Sequence, residues 1–322
     1  MSERATTVYP HRPAGRVERS DVRSARRRLA GQIRKTPVFH TSIAGPSGPV
    51  PVTMKLEHLQ HGGTFKVRGS LNALLESGAG VDEVVIASGG NAGIAAALAA
   101  ARLGKSCTVV VPETAPHTKV AAMWSHGAEV LWHGTSYAEA LRHATELATE
   151  RGALLLHGYD LPEVVAGIGV VGLELEEQVR GRPPVLAAVG GGGLVAGIAA
   201  AVGRRQRVIG VEPDGAAILR AALAAEGPVD IIGSGITVDS LGPTRIGDIA
   251  LDLARRHRVR SLLVSDDAIS AAREYLWREF RILVEVSGAT ALAAVHSGAY
   301  VPAPDERPVI VLCGANTDVA VF

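Results

Sequence analysis

Short apolar runs recur along the chain, and most are followed by a longer stretch with helical spacing of small apolar and polar residues. "EVVIAS" (83–88) leads through "GGN" into "AGIAAALAAARLG". "SCTVVVP" (106–112), "AEVLW" (128–132), "ALLLH" (153–157), "PVLAAVG" (184–190), "RVIGVE" (207–212), "SLLVS" (261–265) and "PVIVLCG" (308–314) continue the series. Continuous apolar runs alternating with helices predict α/β architecture, with mainly parallel sheet covered by helices on both faces. So many strands suit two open sheets better than one, with ligands expected at the strand carboxyl ends. Ahead of this series, "TPVFH" and "VTMKLE" are expected as short strands on either side of a Gly/Pro loop spanning 45–51. A helix is expected from Asp21 to Ile33, after a loose polar arm over residues 1–19.

Composition fits this picture. Of 322 residues 47% are hydrophobic and only 4% aromatic, so the core must be built from Ala, Val, Leu and Ile, with Gly and Ala allowing helices to pack closely on sheets. The net charge of +1 gives no reason to expect nucleic acid or an anionic membrane as partner. The cluster Arg23, Arg26, Arg27 and Arg28 is expected on the solvated face of the first helix. No apolar stretch reaches the length of about 18 residues expected of a membrane span. Near the start there is no apolar run of the signal-peptide kind, and Glu3, Glu18 and Asp21 are unlike a transit peptide. Cys107 and Cys313 lie far apart and predict reduced thiols, hence a cytoplasmic location.

Four motifs carry chemistry. In "GGTFKVRGS" (62–70), Lys66 stands between Phe65 and Val67 at the start of a helix expected over 67–77. Apolar neighbours and a helix N-terminus both disfavour its charged form and favour the neutral amine that makes Schiff bases. Phe65 is placed to cover one face of a flat ring. On its own the segment also reads as a surface lysine near a helix start. In "SGGNAG" (88–93), backbone N–H groups at a strand-to-helix turn suit a carboxylate or phosphate, and Asn91 adds an amide donor. The run Gly190, Gly191, Gly192, Gly193 precedes a helix expected from Leu194. Four glycines cost conformational entropy, and their use is a backbone nest around phosphate. In "VLCGANTD" (311–318), Cys313 closes the last strand; it reads either as a weak donor to a ring nitrogen or as a plain buried thiol. "GIGVVG" (167–172) matches a dinucleotide-binding pattern, but no strand ends just before it, so it reads as glycine packing at a helix start. His58 and His61 have no neighbouring ligands in sequence and do not predict a metal site.

The order and spacing of these motifs resemble the fold type II pyridoxal-phosphate enzymes, the tryptophan synthase β-like fold, and among them the serine/threonine dehydratases. "KLEHLQHGGTFKVRG" is similar to that family's K-L-E-x-x-Q…S-F-K-x-R-G segment, and the resemblance runs from about residue 20 to the end. It implies a large pyridoxal 5′-phosphate-binding domain from residues 1–69 and 159–322, a small domain from 70–158, the cofactor between them, and a homodimer. It implies Lys66 as the Schiff-base lysine and Asn91 as the partner of the ring hydroxyl oxygen. Gly190 to Gly193 with Leu194 become the phosphate cradle, and Cys313 the partner of the pyridine nitrogen. Thr64, Ser88, Asn91 and Ala92 become the pocket for the substrate carboxylate, and Asp239, in "SGITVDSLG", a contact for the β-hydroxyl; as sequence alone, Asp239 is also an ordinary loop aspartate. "VEPDGAAI" resembles the family's ion loop, with Glu212 and the Ala216 carbonyl as ligands; Ile218 replaces an Asp of divalent-binding members, which leaves a monovalent cation. Related racemases carry Ser where Gly89 stands, so racemisation is not expected. Val286 replaces a usual Pro and Ala315 a usual Gly. The end-product-controlled relatives' regulatory domain is not expected, since only nine residues follow Cys313.

The resemblance implies an ammonia-lyase converting L-threonine or L-serine to a 2-oxo acid and ammonia, Lys66 taking the α-proton and the β-hydroxyl leaving as water. Within the same fold, a 3-hydroxyaspartate dehydratase or a β-replacement enzyme is the alternative. A non-catalytic binder of phosphate ligands is the alternative from another class, and it gives no reason for Lys66.

Overall fold

The computed structural model describes residues 16–78 and 80–318. Most of the arm expected over 1–19 lies outside the described residues. The first helix, α1 (Arg19–Arg28), starts where the Asp21 carboxylate accepts the Glu18 amide at 2.8 Å. It is shorter than expected, because the chain turns through Gly31 in the left-handed region. Its arginines face outward, Arg26 pairing with Glu177 and Arg28 with Glu76.

Strands β1 (Val38–Gly45) and β2 (Gly48–Lys55) form one long antiparallel hairpin. The Gly/Pro segment is therefore mostly strand and not loop. Thr53 donates its amide to the Pro308 carbonyl, away from β1, so Pro49 and Pro51 occupy the alternate positions whose N–H would point the same way. No strand pairs with them on that side, so their missing donors cost the ladder nothing.

The chain then alternates. Helix α2 (Lys66–Ser77) leads to β3 (Glu83–Ala87), α3 (Asn91–Arg102), β4 (Ser106–Val111) and α4 (His117–Ser125). Next come β5 (Glu129–Trp132), α5 (Tyr137–Arg151), β6 (Leu154–Leu156), α6 (Pro162–Gln178), β7 (Val185–Ala188), α7 (Gly193–Val202) and β8 (Val208–Pro213). The remainder is α8 (Ile218–Ala224), α9 (Val238–Leu241), α10 (Asp248–His257), β9 (Arg260–Val264), α11 (Asp266–Phe280), α12 (Val286–His296) and β10 (Val309–Val311). One sheet has the order β1-β2-β10-β7-β8-β9 and is parallel apart from the hairpin. The other, β5-β4-β3-β6, is wholly parallel.

Close helix packing replaces aromatic bulk in the core. "GIGVVG" lies within α6 and not at a helix start: Gly169 backs onto the Gly197 carbonyl of α7, where a Cβ would sit at 2.8 Å. Added side chains there would overpack the interface by roughly 1–3 kcal/mol. Every residue of α7 is buried. Among the described residues, no helix is long and apolar enough to cross a membrane.

Candidate active site

The site forms where strand ends converge: Ala87 and Ser88 after β3, Pro112 after β4, Gly158 and Tyr159 after β6, Gly190 after β7 and Cys313 after β10. A narrow inner cavity is lined by Phe65, Lys66, Asn91, Gly190 to Leu194, Glu285 and Cys313, among others. A wider cleft of about 450 Å³ opens in front of it, sharing Lys66 and Asn91 and adding Ser88, Gly89, Ala92, Tyr137, Tyr159 and Asp239.

Lys66 is the first residue of α2, and its Nζ donates to the Gly158 carbonyl at 2.8 Å. Desolvation brings its pKa down to about 8, against the opposing pull of Cys313 and Glu285. The amine is held by apolar and aromatic surfaces, 5.4 Å from the Phe65 ring centre and 5.8 Å from that of Tyr159.

The chain around Lys66 is anchored from below. Arg68, fully buried, donates to both carboxylate oxygens of Glu57 at 2.8 Å and to Glu174 at 2.7 and 3.0 Å. Lys55 Nζ joins Glu174 at 2.5 Å. Burial alone would lower the Arg68 pKa, but the two carboxylates outweigh it and hold the guanidinium firmly charged. Most of the "KLE…KVRG" motif is thus scaffold, with Lys66 as the reactive part.

The tetraglycine turn forms a bare backbone cradle. Gly192 has φ +89, open to glycine at little cost, and a Cβ at Gly191 would run into the Tyr159 ring. The amides of Gly193, Leu194 and Val195 open α7 and have no intrahelical acceptor. This geometry suits a phosphate. Asn91 opens α3, and its orientation is set from two sides: Asn316 Nδ2 donates to its Oδ1 at 2.8 Å, and its own Nδ2 donates to Glu285 Oε1 at 2.5 Å. One N–H of that amide stays available to a ligand oxygen. Buried Cys313 has its pKa raised by burial first and by the Glu285 charge second, so the thiol is neutral and retains its proton.

Three expected residues sit differently from the others. Thr64 is fully buried, bridges to Gly314, and its hydroxyl accepts the Lys66 amide at 3.4 Å, so the structure does not bring it into the cleft. Asp239 does line the cleft, but Lys119 Nζ holds its carboxylate at 2.7 Å. Glu212 lies away from the cleft and caps α8: it accepts from the amides of Leu219 at 2.7 Å and Arg220 at 3.0 Å, and from Ser261 Oγ at 2.5 Å. Ala216 ends the short turn before that helix. A cation at Glu212 would compete with those donors. Among the described residues, no group of three or more His, Cys, Asp or Glu is arranged to hold a metal ion.

Sequence reasoning missed Glu285, Lys119, Tyr137, His157 and Tyr159. Glu285 is buried beside Asn91, with Oε2 lacking a hydrogen-bond partner and 3.4 Å from Lys119 Nζ. Burial lifts its pKa, while Lys119 opposes the shift. In sequence it is separated from "SGA" by Val286 and forms the N-cap of α12, with no periodicity to mark it.

A poised lysine amine beside a bare glycine cradle defines an α/β enzyme built around a phosphorylated carbonyl cofactor, and the residues present fit that group. Residues 29–314 match the family described as pyridoxal-phosphate dependent enzyme, and the chain belongs to it, with the fold type II architecture. It is 34% identical over 330 aligned positions to the phenylserine dehydratase of Ralstonia pickettii, covering 100% of this chain and 98% of that protein. It is 32% identical over 308 positions to the catabolic L-threonine dehydratase of Escherichia coli strain K12, covering 93% of each. Among solved structures, maize serine racemase superposes with a TM-score of 0.87 at 28% identity, covering 95% of this chain and 96% of that one.

Proposed function

We propose that this enzyme is an ammonia-lyase of 2-amino-3-hydroxy acids, releasing water and then ammonia to leave a 2-oxo acid. The observation that carries the reading is Lys66: a partly desolvated amine with a pKa of about 8, standing between the glycine cradle and the cleft. When bound, pyridoxal phosphate supplies a carbon to which lysine and substrate amines bond in turn, and a ring that delocalises the electron pair freed at the substrate α-carbon.

The chain's own residues account for the rest. The amides of Gly190 to Leu194 would hold the phosphate, Asn91 would donate its free N–H to the ring oxygen, and the neutral Cys313 thiol, which donates to the Ser287 carbonyl at 3.7 Å, would serve the ring nitrogen. Ser88, Ala92 and the amides opening α3 receive the substrate carboxylate. Lys66 Nζ, once neutral, takes the α-proton. Asp239 accepts from the β-hydroxyl and orients it, with Lys119 keeping its carboxylate in place.

Racemisation needs a second acid or base, and Gly89 offers none. A side chain there would bring its Cβ to 2.8 Å from the Ala115 Cβ, so the turn itself resists a serine. The proposal includes the two-lobe division into 1–69 with 159–322 and 70–158, and a homodimer by resemblance. Purified protein incubated with L-serine, L-threonine and L-threo-3-phenylserine tests the reading through released ammonium and 2-oxo acid. Lys66→Ala should slow the release of both products by orders of magnitude, and borohydride should tag residue 66 in the unsubstituted protein. Recovery of D-amino acid or of a β-substituted amino acid instead would reject it.

A further inference from the structure

The cleft before Lys66 must take the coenzyme ring as well as the substrate, so its lining says more about the substrate side chain than its volume does. At about 450 Å³ it falls within the range of roughly 300–1,000 Å³ that encloses drug-sized ligands. Its lining includes the small residues Gly89, Gly90, Ala92, Ala115 and Gly158. The same lining carries two aromatic rings, Tyr137 and Tyr159, with His157 in contact with both but outside the lining. The His157 and Tyr159 rings meet edge-on at 4.5 Å, and Tyr137 Oη lies 3.4 Å from His157 Nε2.

This aromatic trio carries no charge. His157 Nδ1 accepts the Asp160 amide at 3.0 Å, so its proton sits on Nε2 and is donated to Tyr137. Burial, and then the nearby Lys66, push the imidazole pKa down to about 4. Of the lining residues, Tyr137 and Val238 are 41% and 42% exposed, leaving apolar surface uncovered. Among the described residues lining the cleft, Lys66 is the one cation, and the reaction uses it. Lys119 is held by Asp239 and Glu285. A substrate with a second carboxylate, such as 3-hydroxyaspartate, would find no partner for it.

We infer that the site is built for a 2-amino-3-hydroxy acid whose β-carbon bears a bulky, uncharged aromatic group. The aryl ring lies against Tyr137 and Tyr159, where aromatic rings gain from edge-on and offset contacts beyond the area they cover. The inference rests on the lyase reading and narrows its substrate. The α C–H and β C–O bonds break, the hydroxyl leaves with a proton as water, and a water molecule is taken up when the enamine hydrolyses. The net products are one 3-aryl-2-oxopropanoate and one ammonia.

Two measurements on the holoenzyme test it. In the first, kcat/KM for L-threo-3-phenylserine should exceed that for L-threonine at least tenfold, read from phenylpyruvate and 2-oxobutanoate. Tyr137→Ala and Ala115→Leu should each lower that ratio at least tenfold, and Tyr137→Phe should preserve it. In the second, which needs no turnover, calorimetry should show L-phenylalanine binding at least tenfold more tightly than L-2-aminobutyrate. Threonine or 3-hydroxyaspartate preferred over phenylserine, with ammonium still released, would overturn the inference and leave the lyase reading standing. No ammonium from any hydroxy amino acid would overturn both.

Discussion

Two clusters of charge lie near the first turn of α2, one wholly buried and one reaching the surface through Asp239, and they are finished differently. In the first, Lys55, Glu57, Arg68 and Glu174 satisfy one another, with Thr36 and Gln178 completing the shell. In the second, Lys119, Asp239, Glu285 and Asn91 leave a Glu285 oxygen without a hydrogen bond and an Asn91 N–H to spare, beside the inner cavity. An unmade hydrogen bond at a buried group costs about 1–3 kcal/mol, which a ligand can recover on binding. The closed cluster therefore fixes the position of Lys66, and the open one is held ready for what binds there.

Four substitutions probe this contrast. The largest effect is expected at the residue both clusters serve. Lys66→Ala should slow ammonia release by about 10²–10⁴-fold, the range typical of a lost general base, with the melting temperature little changed. Arg68→Ala comes next. It strands two buried carboxylates and should cost about 3–5 kcal/mol, read as a clear fall in the calorimetric melting temperature. Glu285→Gln should destabilise far less than that; equal losses at Arg68 and Glu285 would erase the distinction. Its effect should also depend on pH. The native carboxyl has a raised pKa, so the native state holds its proton more tightly than the unfolded chain. Its contribution to stability is full below the unfolded pKa and is lost as pH rises through the native one. The advantage of wild type over Glu285→Gln should therefore shrink with rising pH, as measured by denaturant titration. Smallest is Cys313→Ser, which keeps a neutral donor and should change turnover only a few-fold. Separately, capture of cofactor by the stripped protein should accelerate as pH rises through about 8, where Lys66 loses its proton, and then level off in stopped-flow absorbance.

The same contrast explains what could be read from sequence. Strands β3 to β10, Lys66 and the glycine turn are local patterns, where apolar runs, breakers and helix starts sit side by side, and their expected bounds agree with the structure within a few residues. Glu285 acquires its meaning from Asn91, 194 residues earlier, and Lys119 from Asp239, 120 residues later. No periodicity records such pairings. Thr64 shares the Lys66 motif, yet its bridge to Gly314 turns it into the interior. The Gly/Pro segment reads as loop because Pro usually interrupts a ladder, whereas Pro49 and Pro51 fall where no described strand asks for their amides.

The position of β10 has a consequence for biosynthesis. The tenth strand in chain order lies in the interior of its sheet, between β2 and β7, and the loop after it supplies Cys313 and the Asn316 amide that orients Asn91. During translation, the early strands must wait with a gap between them until this late segment emerges. Coenzyme uptake is then among the last events of maturation, and a nascent chain halted before residue 309 would have a nearly complete scaffold with no competent pocket.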